Sequence, residues 1–311
     1  MKWLDKVKQT KFDFVGNGRW FIIAPVVILL VGIILFCCLG FNLGLDFTGG
    51  AIATVTKTET VTKDYVAAKM DEYNIKYTIT EEQSTSGATS FAIRFNDTSS
   101  TERNNAILQE LKEYFGDDYV AGDSIQATTS NEKVMTVFWS ILAACVGLMI
   151  YMLFRFKITA GITTLLALLH DVLMICALMA ILRIEINTSF IAALLTVIAY
   201  SINNSLVVFD RVRTFEKNNT ENYTLNQMLN KAISSTLVRS ILTVTTTLAT
   251  LLVLTVISLI MHLPTLIEFA LPIVLGLIAG TYSSMFLIAP MYRQFEGARL
   301  ARKLRKQQKV K

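Results

Sequence analysis

Asp171 lies about 14 residues into an apolar block, Ile158–Leu182, made almost wholly of Leu, Ala, Ile, Met and Thr. At 1.5 Å per helical residue this is roughly 20 Å from the block's start. Hydrocarbon disfavours a charged carboxyl, so such a group is suited to taking up and releasing a proton. The plainer alternative is a packing residue, hydrogen-bonded to Ser or Thr on another helix. His170 adjoins it, but neighbouring helical residues point about 100° apart and need not touch.

A second polar group is Tyr200-Ser201-Ile202-Asn203-Asn204-Ser205, followed by Leu206-Val207-Val208-Phe209-Asp210-Arg211-Val212-Arg213. Ser201, Asn204 and Ser205 fall on one helix face at i, i+3 and i+4. Membrane helices use such residues to hydrogen-bond one another, although this run has more polar groups than adhesion needs. Asp210 and the arginines after it read as a solvated interfacial charge run. A third group is Arg239 with Ser240, Thr243, Thr245, Thr246 and Thr247. Arg239 is within about a turn of its block's boundary, and Asn204 about 9 Å from its own. The two can touch if their helices adjoin; otherwise Arg239 snorkels to the interface.

The elements that must carry these groups are membrane helices. Of 311 residues, 53% are hydrophobic and 17% charged, and mean hydropathy is +0.49. Soluble domains carry about a quarter charged residues. Several apolar blocks exceed the roughly 18 residues needed to cross a bilayer core. A soluble enzyme is therefore excluded.

Residues 1–19 carry Lys2, Lys6, Lys8, Lys11 and Arg19 against Asp5 and Asp13, ahead of an apolar stretch. That stretch, 20–42, is span-length and lacks a small-residue cleavage site, so it reads as an uncleaved first helix. Five more blocks follow at 134–154, 158–182, 189–209, 239–262 and 267–292, forming a five-helix bundle over 134–292. A polar segment, 210–238, interrupts it, and a tail, 293–311, holds eight Lys/Arg and one Glu. The positive-inside rule puts both termini, the 155–157 link and 210–238 in the cytoplasm. Residues of about 43–133 then lie outside.

That outer region differs in character. Between Lys57 and Ser130 there are 7 Lys/Arg and 13 Asp/Glu. Strands are expected at Ala51–Thr58, Lys76–Thr80, Ser90–Phe95 and Ser124–Thr129. Helices are expected at Thr62–Tyr73 and Ser99–Phe115. The order is that of a small α+β ferredoxin-like domain. It follows Gly44-Leu45-Asp46-Phe47-Thr48-Gly49-Gly50, where Gly49 and Gly50 allow a sharp exit from helix to strand. Asp46 and Thr48 either brace that joint or merely serve its turns.

Enzymatic and metal chemistry find no support. The four cysteines, Cys37, Cys38, Cys145 and Cys176, all lie in apolar blocks without CxxC spacing, and the two histidines, His170 and His262, are far apart. No GxSxG elbow or Walker loop occurs. Neither a metal nor another cofactor is expected, nor an enzyme or a nucleic-acid partner.

Together the GLDFTGG run, His170-Asp171, YSINNSLVVFDRVR, the Arg239-Ser240…Thr245-Thr246-Thr247 run and Gly280-Thr281-Tyr282-Ser283-Ser284 resemble the SecF side of the SecD/SecF protein-export family. The resemblance covers nearly the whole chain, less specifically at the termini and within much of the outer domain. It implies a six-helix half of a resistance-nodulation-division-like transporter, paired with SecD in a bacterial cytoplasmic membrane. It implies use of the proton motive force to draw unfolded polypeptide out of the SecYEG channel after the SecA ATPase has acted. YajC and YidC are implied accessory partners, and membrane lipid surrounds the whole. In the family pattern an aspartate follows the first asparagine of the YSIN run; here that position is Asn204, which cannot titrate. A proton would then use Asp171, an aspartate of SecD, or both. Two alternatives stay open: a non-titrating structural partner of SecD, and a stand-alone small-molecule exporter of related fold. The short outer domain argues against the latter.

Overall fold

The computed structural model describes residues 13–308 except 59, 84–88, 97–100, 117–118, 126, 219–222 and 262. The lysines of the basic start, His262, Ser99 and the last two lysines of the tail lie outside the described residues.

The first apolar stretch is one helix, α1 (Gly18–Leu39). Gly40 ends it at φ +64°, and a single turn, α2 (Leu45–Thr48), carries the chain into the inserted domain. Alternation of side chains then gives β1 (Gly50–Thr56), in which Ala51, Ala53 and Val55 are buried and the residues between them are not. Thr62 caps α3 (Lys63–Asp71) by accepting from the Tyr65 amide. β2 (Lys76–Gln83), β3 (Thr89–Asn96), α4 (Thr101–Phe115) and β4 (Val120–Ile125) complete the unit. The sheet order is β2-β3-β1-β4 with every pairing antiparallel, the ferredoxin-like arrangement. Val66, Met70, Phe91, Ile93, Phe95 and Leu111 fill the space between sheet and helices.

One expected strand is displaced. The segment expected at Ser124–Thr129 pairs instead at Val120–Ile125, and helix begins at Ala127. The register explains it: Val55 faces Val120 and Gly50 faces Ile125. Beyond Ile125 β1 has ended, so the β-branched Thr128 and Thr129 have no strand to join.

The remaining helices are α5 (Ala127–Arg155), α6 (Ile158–Leu182), α7 (Thr188–Lys217), α8 (Leu225–Ile260) and α9 (Pro264–Tyr282). A π-helical turn, Ser283–Leu287, joins α9 to α10 (Ile288–Gln308). With α1, six stretches among the described residues are long and apolar enough to cross a membrane. α7 and α8 continue well past their apolar blocks, so 210–238 is mostly the facing ends of two helices. Thr224 begins α8 with a reciprocal capping box to Gln227. α9 packs against α6, α7 and α8, and α6 against α1. One apolar cluster, with Val208, Phe209, Leu229 and Tyr292, fills one end of the bundle. Another, with Ile175, Met179, Phe190, Val197 and Leu277, fills the end nearer the inserted domain.

Candidate functional site

Asp171 is 1% exposed, and three elements meet on its carboxylate. Ser201 Oγ, on α7, donates to Oδ2 at 2.5 Å. Ser283 Oγ, at the start of the π turn, donates to the same oxygen at 2.9 Å. On the other side, His170 Nδ1 stands 3.0 Å from Oδ1, the donor depending on the imidazole tautomer. The contact with His170 that helical geometry left open is thus made.

Close approach of α9 makes this convergence possible. A Cβ on Gly280 would stand 3.3 Å from Ser201 Cβ and 3.5 Å from Asp171 Oδ2. Immediately after it the helix widens into the π turn, a distortion that recurs at functional sites. Hydroxyl donors from two elements thus tie α7 and the π turn to one buried carboxyl.

The surroundings are polar where lipid would favour carbon. Among the described residues, Thr281 Oγ1 and His170 Nε2 are buried without a hydrogen-bond partner. Buried polar groups are seldom left so, and these flank Gly280 and Asp171 in the chain. Asn204 is 4% exposed, less than a turn beyond Ser201. Ser205 is buried too and bonds back to the Ser201 carbonyl at 3.1 Å.

Other expected residues lie elsewhere. Asn203 points out of the bundle from α7. Thr243 is exposed on α8, its hydroxyl donating to the Arg239 carbonyl at 2.9 Å. Arg239 is also exposed, in a cleft of about 420 Å³ shared with Arg155, Asp210, Arg211 and Ser235. α7 and α8 do adjoin, yet no hydrogen bond joins Arg239 to Asn204. The guanidinium turns to the helix ends, as snorkelling requires, while Asn204 turns inward.

The entry joint is more than a turn. Asp46 Oδ2 accepts from both the amide and the hydroxyl of Thr188, at 2.9 and 2.7 Å, at the first residue of α7. Thr48 Oγ1 donates to the Gly44 carbonyl at 3.2 Å. Gly44 N in turn donates to the Ile186 carbonyl at 2.8 Å, beside a bridge between Leu43 and Ile186. Gly49 and Gly50 have φ of +75° and +134°. Asp46 thus reaches across to α7, while Thr48 bonds within its own turn.

This joint and the helices behind it match known sequences. Residues 39–56 match the SecD/SecF GG motif, and residues 106–297 match the protein export membrane protein SecD/SecF C-terminal family. The chain belongs to the SecD/SecF family. It is 30% identical over 254 residues to the protein translocase subunit SecF of Sebaldella termitidis, covering 81% of each. To the protein translocase subunit SecDF of Bacillus subtilis it is 30% identical over 298 residues, covering 93% of this chain and 39% of that one. It is similar in fold to the crystal structure of SecDF, a translocon-associated membrane protein, from Thermus thermophilus. There the TM-score is 0.76 at 26% identity, over 93% of this chain and 39% of that one. The chain thus spans about two fifths of the SecDF proteins and most of the SecF relative. In this SecF-like chain, Ser283 and Gly280 are the site residues that the helical pattern did not single out. Their signal was the Gly, Thr and Ser residues of 280–284 amid a bulky apolar helix.

Proposed function

We propose that this chain is the SecF-type half of a Sec translocase, pairing with a SecD-type half and using the proton motive force to promote late export of polypeptide. The names of its relatives support the translocase assignment. The observation that carries proton coupling is the buried carboxyl of Asp171 held by hydroxyls from α7 and the π turn. Gaining or losing a proton there changes which packing of the helices is favoured. The chain works as a secondary-transport-type subunit, not as a hydrolase. It sits in the bacterial cytoplasmic membrane with both ends inside and residues of about 43–133 outside. SecYEG, the moving unfolded chain, YajC and YidC are the partners of this reading.

The SecD-type half would dock on α7 and α8. Ala192, Thr196, Ala199 and Asn203 are exposed at helical spacing along α7, and Thr243, Thr246 and Thr250 along α8. Small and hydroxylated residues let membrane helices approach closely.

A second reading is favoured by Asn204, an amide where the family pattern has an aspartate. The chain then completes the assembly while SecD alone titrates. Proton uptake by the reconstituted pair separates the two. Loss of flux with Asp171→Asn establishes proton carriage here. Unchanged flux there, with a gain from Asn204→Asp, establishes the scaffold reading.

A further inference from the structure

Arg94 lies on β3, on the sheet face away from Ile93 and Phe95. Its side chain is only 18% exposed and leaves the inserted domain for the helical bundle. Nη1 bonds Glu185 Oε2 at 3.1 Å, in the loop before α7, and Glu268 Oε1 at 3.2 Å, in the second turn of α9. Glu82 of β2 stands 4.0 Å from Nη2. The other oxygen of Glu268 accepts from Asn187 Nδ2, and Asn187 Oδ1 caps α7 by accepting from the Phe190 amide. One guanidinium therefore holds the outer ends of two helices, α7 through 185–187 and α9 directly.

These are the two segments whose deeper portions bond Asp171. Asn187 to Ser201 and Glu268 to Ser283 are each about 20 Å of helix at 1.5 Å per residue. α7 and α9 run in the same direction and pack on each other. A change in packing at Asp171 that slides or tilts one helix against the other must alter the spacing of Glu185 and Glu268. Both carboxylates accept from one nitrogen, Nη1, whose two N–H directions are fixed in the guanidinium plane, so the contact is sensitive to that spacing in a way a point charge is not.

We propose that Arg94 is the positioning residue that couples the Asp171 carboxyl to the inserted domain. The inference rests on the reading of Asp171 as the group whose charge changes. It adds where the motion leaves the membrane: through β3, in parallel with the covalent joint at Gly49 and Gly50.

The test uses the full chain in lipid nanodiscs, with Asp171→Asn as a fixed neutral stand-in for the protonated state. Amide hydrogen exchange is read separately over α7 and over β3. In the unaltered background, Asp171→Asn should change exchange in both by about fivefold, the lower end of measured allosteric couplings. With Arg94→Gln, the response of α7 should persist while that of β3 falls below about twofold. Arg94→Lys should give an intermediate β3 response. An unchanged β3 response in Arg94→Gln overturns the proposal, as does a β3 that never responds while α7 does. If α7 itself does not respond, the reading of Asp171 fails and the inference falls with it. Slow exchange at Val55 and Val120 reports whether the inserted domain stays folded. Should Arg94→Gln unfold it, Glu268→Gln replaces it, with the same expected and overturning results.

Discussion

Ser201 and Ser283 donate to one and the same oxygen, Oδ2 of Asp171, from α7 and from the π turn after α9. The shared acceptor makes the carboxyl a pin between α7 and the π turn. Hydrogen bonds to charged groups contribute about 1.5–3 kcal/mol each, more than typical neutral ones. Neutralising the carboxyl weakens both at once, which is the kind of discrete change a two-state element needs.

Gly280 should be the most size-sensitive position near this pin. An alanine Cβ there stands 3.3 Å from Ser201 Cβ, so Ser201 must give by a few tenths of an ångström. Gly280→Ala should assemble normally yet lower proton flux about threefold or more, since sub-ångström misplacement at reacting groups is costly. Flux equal to that of the unaltered pair would mean that the serine geometry is not part of the pathway.

Gly50 and Gly40 both have positive φ but should respond differently to alanine. At Gly50 the φ is +134° and a Cβ would stand 2.5 Å from the Phe95 carbonyl oxygen, a backbone atom of β3. At Gly40 the φ is +64° with nothing within 4 Å. Gly40→Ala should cost about 1–3 kcal/mol, because φ +64° with ψ −178° is a backbone essentially confined to glycine. Gly50→Ala adds the clash, and should exceed it by about 1 kcal/mol or more. Thermal unfolding of the full chain in detergent ranks the two; equal losses would show that the β1–β3 contact yields freely.

The spans were legible because apolar block length maps directly onto helix length in a bilayer, and the start of the inserted sheet because β1 alternates. Asp171 stood out by its expense in hydrocarbon. What could not be read was which distant residues meet. Ser283 lies 112 residues from Asp171, and its approach depends on a π turn and on Gly280 allowing α9 inward. Arg94 was not singled out: alternation sets it on the sheet face away from Ile93 and Phe95, and nothing in the sequence says what covers that face. Arg94 faces the bundle. The Arg239–Asn204 contact, reasoned from depth alone, is not formed because depth says nothing of which way a helix is rotated.

Ala199 tests the proposed partner face. It is exposed on α7 between Thr196 and Asn203, with its buried neighbours Val197 and Ile198 turned inward. A bulky residue there leaves the interior untouched but separates two helices that must approach through small side chains. Ala199→Trp should reduce co-purification of a SecD-type partner about tenfold while this chain keeps its own thermal stability. Undiminished recovery of the partner would place the docking surface elsewhere.

pH should bias the Arg94 junction in a definite direction. Glu82 and Glu185 are both held above the ordinary 4.5, chiefly because burial disfavours their charged forms. The Arg94 charge pulls both back down, Glu268 pushes both up, and Asp46 adds to the push on Glu185. The folded state therefore binds protons more tightly than the unfolded one just above 4.5. By linkage, this contribution to stability is fully present below the unfolded value and is lost as pH rises through the raised folded values. Asp13 has the opposite slope, because the Gly16 amide and Asn230 hold it below 3.8, but that slope lies under the window. Acidification toward about pH 5, relative to about pH 7, should favour the folded state of the unaltered chain more than that of a Glu82→Gln, Glu185→Gln double variant. The reading is the difference in unfolding midpoint between the two proteins at each pH. An equal pH response in both, or a larger gain for the double variant on acidification, would show that these carboxyls do not load protons in the folded state.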